Sequence, residues 1–242
     1  MKYIHIVTIL LFTAFNVIGC GGGGSTDSQS SATSNLEFKF FPPGFFVAGY
    51  REEFNFTGTR QRTDTNEQTD TFTNASVIVT QPEGVYDLTS VIPILDTGEI
   101  GFSDGTNTPA SFTQNYTLFA NDRRYIGDTT ILFGITTTTT ATSTSPIPET
   151  VNIGDSGEVG RYQDNFGQII VITWNIEDAG NDQAQFTWTT RTRSAVDNSL
   201  LVEREDISII DVNGNRLSKS ARIEFFNLAP SLLDNWIGVK AP

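Results

Sequence analysis

Cysteine occurs once in the 242 residues, at position 20, and histidine once, at position 5. One cysteine closes no disulfide within the chain, so any fold must be held by its core. With no histidine after position 5, Ser–His and Cys–His nucleophilic machinery is excluded from the body of the chain. Zinc sites built on His or Cys are excluded with it. Basic residues are also scarce, with 15 Lys and Arg against 28 Asp and Glu. Nucleic-acid binding depends on cations that neutralise phosphates, so the balance argues against that partner. It argues equally against adhesion flat on an anionic membrane. Long apolar runs are missing too. The one stretch that approaches such a run, Ile6 to Phe15, is well short of the ~20 residues that a spanning helix needs.

That stretch follows Lys2 and ends at Asn16, which is the layout of a signal-peptide n-region and h-region. The next residues, Val17-Ile18-Gly19-Cys20, resemble the lipobox of bacterial lipoproteins. In that family the peptide is cut before the cysteine, whose thiol carries a diacylglyceryl group. Val17 stands where the family usually has Leu and Ile18 where it has a small residue, while Gly19 and Cys20 match. The resemblance implies a lipid-anchored chain that begins at Cys20. Gly21, in place of the Asp that favours inner-membrane retention, implies an outer-membrane destination in a host with two membranes. Several acyl chains together make a stable anchor, at roughly 0.8 kcal/mol per buried methylene. Cleavage would remove Lys2 and His5, leaving 14 basic against 28 acidic side chains. The domain would then hold neither imidazole nor free thiol.

Residues 21–35 (GGGGSTDSQSSATSN) bury too little apolar surface to offset their ordering entropy. They read as a flexible tether with a root-mean-square length of roughly 20 Å. Residues 36–242 are rich in Thr, Ile, Val, Phe and Tyr, punctuated by Gly, Asn and Asp, which reads as antiparallel β structure. In residues 168–177 (QIIVITWNIE) every even position is apolar, so Ile170, Ile172, Trp174 and Ile176 share a buried face. Further strands are expected at 183–193, 200–212 and 216–228, with Asn213-Gly214 as the strongest two-residue hairpin signal. Earlier strands are expected at 36–41, 50–60, 69–80, 84–92, 111–120, 123–127 and 130–137. A helical turn is expected at 231–236. The Thr-rich stretch 136–148 (TTTTTATSTSPIP) reads as an ordered strand that leads into a crossing loop, and as the point where two halves would divide. Strands near ten residues favour an antiparallel meander curved into a sheet or barrel. A two-sheet sandwich, or two tandem small β domains, is the alternative.

Chemistry is thinly marked. Asp211-Val-Asn213-Gly-Asn215 has the opening spacing of a calcium loop, but Arg216 and Arg222 stand where Gly and Glu are needed. The reading is a hairpin, with no metal and no cofactor. Glu203 and Glu205 share a strand face about 7 Å apart, a spacing open to an inverting hydrolase. Glu52-Glu53 is the other adjacent pair. Phe40, Phe41, Phe45 and Phe46 flank Pro42-Pro43-Gly44 and form the one weak binding candidate. They are either an entry strand packed on the core or an aromatic lip near the tether. Arg123-Arg124 beside Tyr125 is a minor candidate for an anion. The sequence therefore reads as a non-catalytic envelope lipoprotein, a binding or assembly module for another envelope protein. A half-barrel carrier of lipophilic cargo and a carboxylate-based hydrolase are the alternatives.

Overall fold

The computed structural model describes residues 36–80, 91–102, 111–120, 122–132, 135–229 and 231–241. Cys20, the expected tether and residues 84–90 of the strand expected at 84–92 lie outside them. Every regular element among the described residues is a strand. After a short β1 (Glu37–Lys39) come β2 (Arg51–Arg62), β3 (Gln68–Thr80), β4 (Val91–Phe102), β5 (Ser111–Ala120), β6 (Tyr125–Leu132) and β7 (Ile135–Thr144). A second short strand, β8 (Thr150–Asn152), precedes β9 (Ser156–Asp164), β10 (Ile169–Gly180), β11 (Gln183–Arg193), β12 (Leu200–Ile210), β13 (Arg216–Phe225) and β14 (Leu232–Lys240).

Twelve of these form one up-and-down antiparallel meander closed into a barrel. Consecutive strands pair, β7 pairs with β9 past β8, and β14 returns to β2 over the whole register from Leu232↔Arg62 to Lys240↔Phe54. Closure leaves the twelve described barrel strands without an unpaired edge of the kind that recruits foreign strands. The curved all-β meander expected from strand length is what forms. The Thr-rich stretch supplies β7, a full barrel strand, followed by the excursion to β8.

The two-residue turn lies elsewhere than expected. Asn181 and Asp182 both take positive φ, 55° and 58°, which is the type I′ pairing that matches strand twist. At Asn213-Gly214 the connection instead spans 211–215. Asp211 Oδ1 accepts the amides of Asn213 and Asn215 at 2.9 Å each, widening the turn. The helical turn expected at 231–236 is corrected to β14, whose inward positions are Leu232, Asp234 and Trp236. Arg60 on β2 holds Asp234 by two bonds of 2.7 Å, so a carboxylate sits on a buried strand face and masks the apolar alternation. The strands expected at 123–127 and 130–137 are likewise corrected, to one strand, β6, and the start of β7.

A lid covers one end. β1 pairs with β8 (Phe38↔Val151), the Lys39 amide donates to Val212 O at 3.1 Å, and the Phe40 amide donates to Glu149 O at 3.0 Å. The chain thus crosses the barrel mouth between β8 and the β12–β13 turn. Gly214 makes that crossing possible: a Cβ there would stand 2.5 Å from Lys39 O, and φ is +77°. Beneath the lid Phe38, Phe40 and Phe45 pack on Trp174, Ile176, Phe186 and Ile210. Phe40 meets Phe186 at 4.6 Å and Trp174 at 5.1 Å between centroids, both edge-on. Such contacts add to the burial of each ring. The rest of the described interior combines a second apolar cluster, with Phe54, Phe56, Ile223, Phe225 and Trp236 buried together, and buried polar residues that include Thr130, Thr137, Thr139, Thr192, Asp128, Asp164 and Arg204.

Candidate functional site

The four phenylalanines around Pro42-Pro43-Gly44 come together, but as two layers. Phe40 and Phe45 are buried, while Phe41 and Phe46 are half-buried against them. Phe41 stacks on Phe45 at 4.8 Å and meets Phe46 edge-on at 4.8 Å. The turn is closed by the Phe45 amide donating to Pro42 O at 3.1 Å, with Gly44 at φ +78°. Thr80 on β3 donates its hydroxyl to Phe45 O, pinning the segment to the barrel wall. Arg216 lies 4.8 Å over the Phe45 ring.

Between this turn and the rim lies a cavity of about 240 Å³, lined by residues 39 and 41–47 on one side and by Arg123 and Glu149 on the other. Arg123 occupies the turn between β5 and β6 and donates its amide to Ala120 O at 2.9 Å. Its φ is +66°, a conformation that a bulky non-glycine residue adopts at a cost. From there its guanidinium reaches Glu149 at 3.1 Å and lies 5.9 Å over the Phe46 ring. Arg124, its neighbour, pairs instead with Asp122 at 2.7 Å. Lys39 is exposed at the end of β1 and makes no ion pair among the described residues. The sequence marked the aromatic cluster and Arg123 separately. Nothing local in it brought Lys39 to the same cavity, because the lid crossing does that.

The carboxylate pairs are placed differently. Glu52 faces inward and Glu53 outward, so that pair never converges. Glu52 accepts from Arg216 at 2.6 Å and Lys240 at 3.5 Å. Burial pushes its pKa up, but Arg216, Lys219 and Lys240 outweigh burial and hold it down at about 2. Glu203 and Glu205 lie on the outer face of β12, paired with Arg191 and Arg222 across the neighbouring strands. They belong to a charged ladder on the outer face and line no described cavity. Asp211 Oδ2 accepts from Asn215 Nδ2 at 2.8 Å, so both oxygens of the calcium-like loop serve the turn.

A third acidic pair was not visible from spacing. Asp128 on β6, Thr139 on β7 and Asp164 on β9 stand in register across three strands and point inward. Asp164 Oδ1 caps the next turn, accepting the Phe166 and Gln168 amides at 2.9 and 2.8 Å. Asp128 is 1% exposed, and neither of its oxygens meets a partner at hydrogen-bonding geometry among the described residues. Burial pushes its pKa up to about 7; the nearby Thr139 and Tyr125 hydroxyls pull it down, and the Asp164 carboxylate adds to the rise. Beside Tyr125 and Thr139, with Arg204 on the facing wall, is an internal cavity of about 20 Å³. That is room for about one water.

No protein-family model matches the chain, and no curated protein matches it. Among solved structures, one from Bacteroides fragilis, a protein named for its export and its YmcC-like fold, is 12% identical. The match covers 85% of this chain and all of that one at a TM-score of 0.29, too low to carry an argument about fold or activity.

Proposed function

We propose that the chain is an extracytoplasmic lipoprotein, anchored at Cys20, that acts as a non-catalytic binding module through the cavity under its lid turn. The observation that carries this reading is the placement of that cavity. Lys39, on its wall, lies three residues beyond Leu36, where the described chain begins after the tether, so the site is within ~10 Å of chain from the tether's end. An anchored module would therefore hold its site close to whatever the envelope displays there. The outer face supports a barrel that stands in water. Arg51, Glu53, Asn55 and Thr57 point outward from β2, and Arg191, Glu203, Glu205, Arg222 and Glu224 form a charged ladder over β11–β13. A lipid-facing barrel would carry an apolar band there. Within the described interior the lid phenylalanines pack one end, and the cavity beside Tyr125 has room for about one water.

The test is fractionation of cells producing the chain or its Cys20→Ser variant, followed by titration with the neutral probe N-phenyl-1-naphthylamine. The wild-type chain is expected in the membrane fraction and the variant in the soluble one, with one probe bound per chain. Membrane retention of Cys20→Ser at normal yield would overturn the anchor. Absence of any saturable probe site would overturn the binding module.

A further inference from the structure

Building on that binding reading, we propose that the cavity recognises an amphipathic anion, a carboxylate, phosphate or sulfonate carried on an apolar or aromatic body. The walls divide by chemistry. Phe41 and Phe46 offer ring surface around the Pro42-Pro43-Gly44 turn, while Lys39 and Arg123 bring two cations to the same space. Arg123 already has Glu149 at 3.1 Å, but Glu149 is 71% exposed at its side chain and answers only one cation. Lys39 is left without a counter-charge among the described residues. The cavity thus has one uncompensated positive charge in a chain whose formal net charge is −13.

The left-handed backbone at Arg123 is the independent sign. Arg at φ +66° is a strained choice where Gly or Asn would sit without cost. The chain nonetheless presents a guanidinium there, on the cavity lining and 5.9 Å over the Phe46 ring. A guanidinium braced on an aromatic ring loses little freedom when it bonds an oxyanion. A volume of about 240 Å³ suits a body of one or two rings, or a short stretch of acyl chain.

The experiment compares two probes that differ in the anionic group alone. N-phenyl-1-naphthylamine has the apolar body, and 1-anilinonaphthalene-8-sulfonate adds the sulfonate. Both are titrated into the full-length Cys20→Ser chain. The sulfonate is expected to bind about tenfold tighter or better, as a charge-assisted contact would give. Lys39→Gln is expected to remove most of that preference, and Lys39→Arg to restore it. Phe46→Ala is expected to weaken both probes. Displacement of the sulfonate by monomeric dodecyl phosphate would identify a free ligand. Displacement by phosphatidylglycerol vesicles alone would identify a lipid headgroup. Equal affinity for the two probes, an unchanged preference in Lys39→Gln, or displacement by neither competitor would overturn the anion assignment. Equal affinity with intact one-site binding would still leave the binding module standing, whereas loss of both probes would remove it.

Discussion

Asp128→Asn should make the protein more stable at alkaline pH and leave it unchanged near pH 4. The folded state holds Asp128 almost fully buried, with its pKa pushed up to about 7 from an ordinary 3.8. A carboxyl raised on folding binds its proton more tightly in the native state than in the unfolded one. Its contribution is therefore fully present below about pH 4 and is lost as pH rises through about 7. Each unit of difference corresponds to about 1.4 kcal/mol, so the whole limb amounts to about 4 kcal/mol. Asn keeps the shape, carries no charge, and can donate to the Thr139 and Tyr125 hydroxyls. Urea unfolding followed by tryptophan fluorescence at pH 4, 5.5, 7 and 8.5 reads the difference directly. Wild type should lose stability between pH 4 and about 7 and then level off towards 8.5, and Asp128→Asn should lose much less. A smaller residual slope would belong to Asp164, which burial also raises. If both proteins showed the same slope, burial of a protonated Asp128 would be refuted.

Glu52 should act in the opposite sense: held near pKa 2 by its cationic partners, it contributes above about pH 4.5 and is lost as pH falls towards 2. Glu52→Gln is expected to cost about 3 kcal/mol at pH 7 and to remove that acid limb, read by the same urea titrations at pH 3 and 7. Phe40→Ala opens the core beneath the lid and should cost about 3–5 kcal/mol in denaturant unfolding, against nearly nothing for the exposed Val196→Ala. Gly58→Ala would set a Cβ 2.7 Å from the buried Trp236 ring, so a loss of about 1–3 kcal/mol and a fall of several degrees in melting temperature are expected. An unchanged melting temperature would mean that Trp236 does not fill the space over Gly58.

How much could be read in advance depended on what each strand buries. β10 was plain because Ile170, Ile172, Trp174 and Ile176 alternate without interruption, and all four are buried. β13 was plain for the same reason at Ile223 and Phe225. β14 was hidden because its inward Asp234 is matched by Arg60, 174 residues earlier in the chain. β4 was hidden because Pro93 lies within it, paired opposite Leu118, where proline usually argues against a paired strand. Asp128 and Asp164 could not be joined from spacing, since the strand between them brings them into line. The aromatic cluster was visible as a cluster, but its split into core layer and cavity wall was not.

The sequence by itself determined the local things. Period-two alternation made the strands, while the Gly- and Ser-rich residues 21–35 and the Val17-Ile18-Gly19-Cys20 pattern carried the expectations of a tether and an anchor. It also confined histidine to position 5 and cysteine to position 20. Tertiary structure alone decided that β14 closes onto β2, that β1 crosses the mouth as a lid, and that Lys39 meets Arg123 at one cavity. The physical reason is range. Alternation is written between neighbours two residues apart, whereas closure, burial of charge and assembly of a site depend on contacts such as Arg60 with Asp234, 174 positions apart.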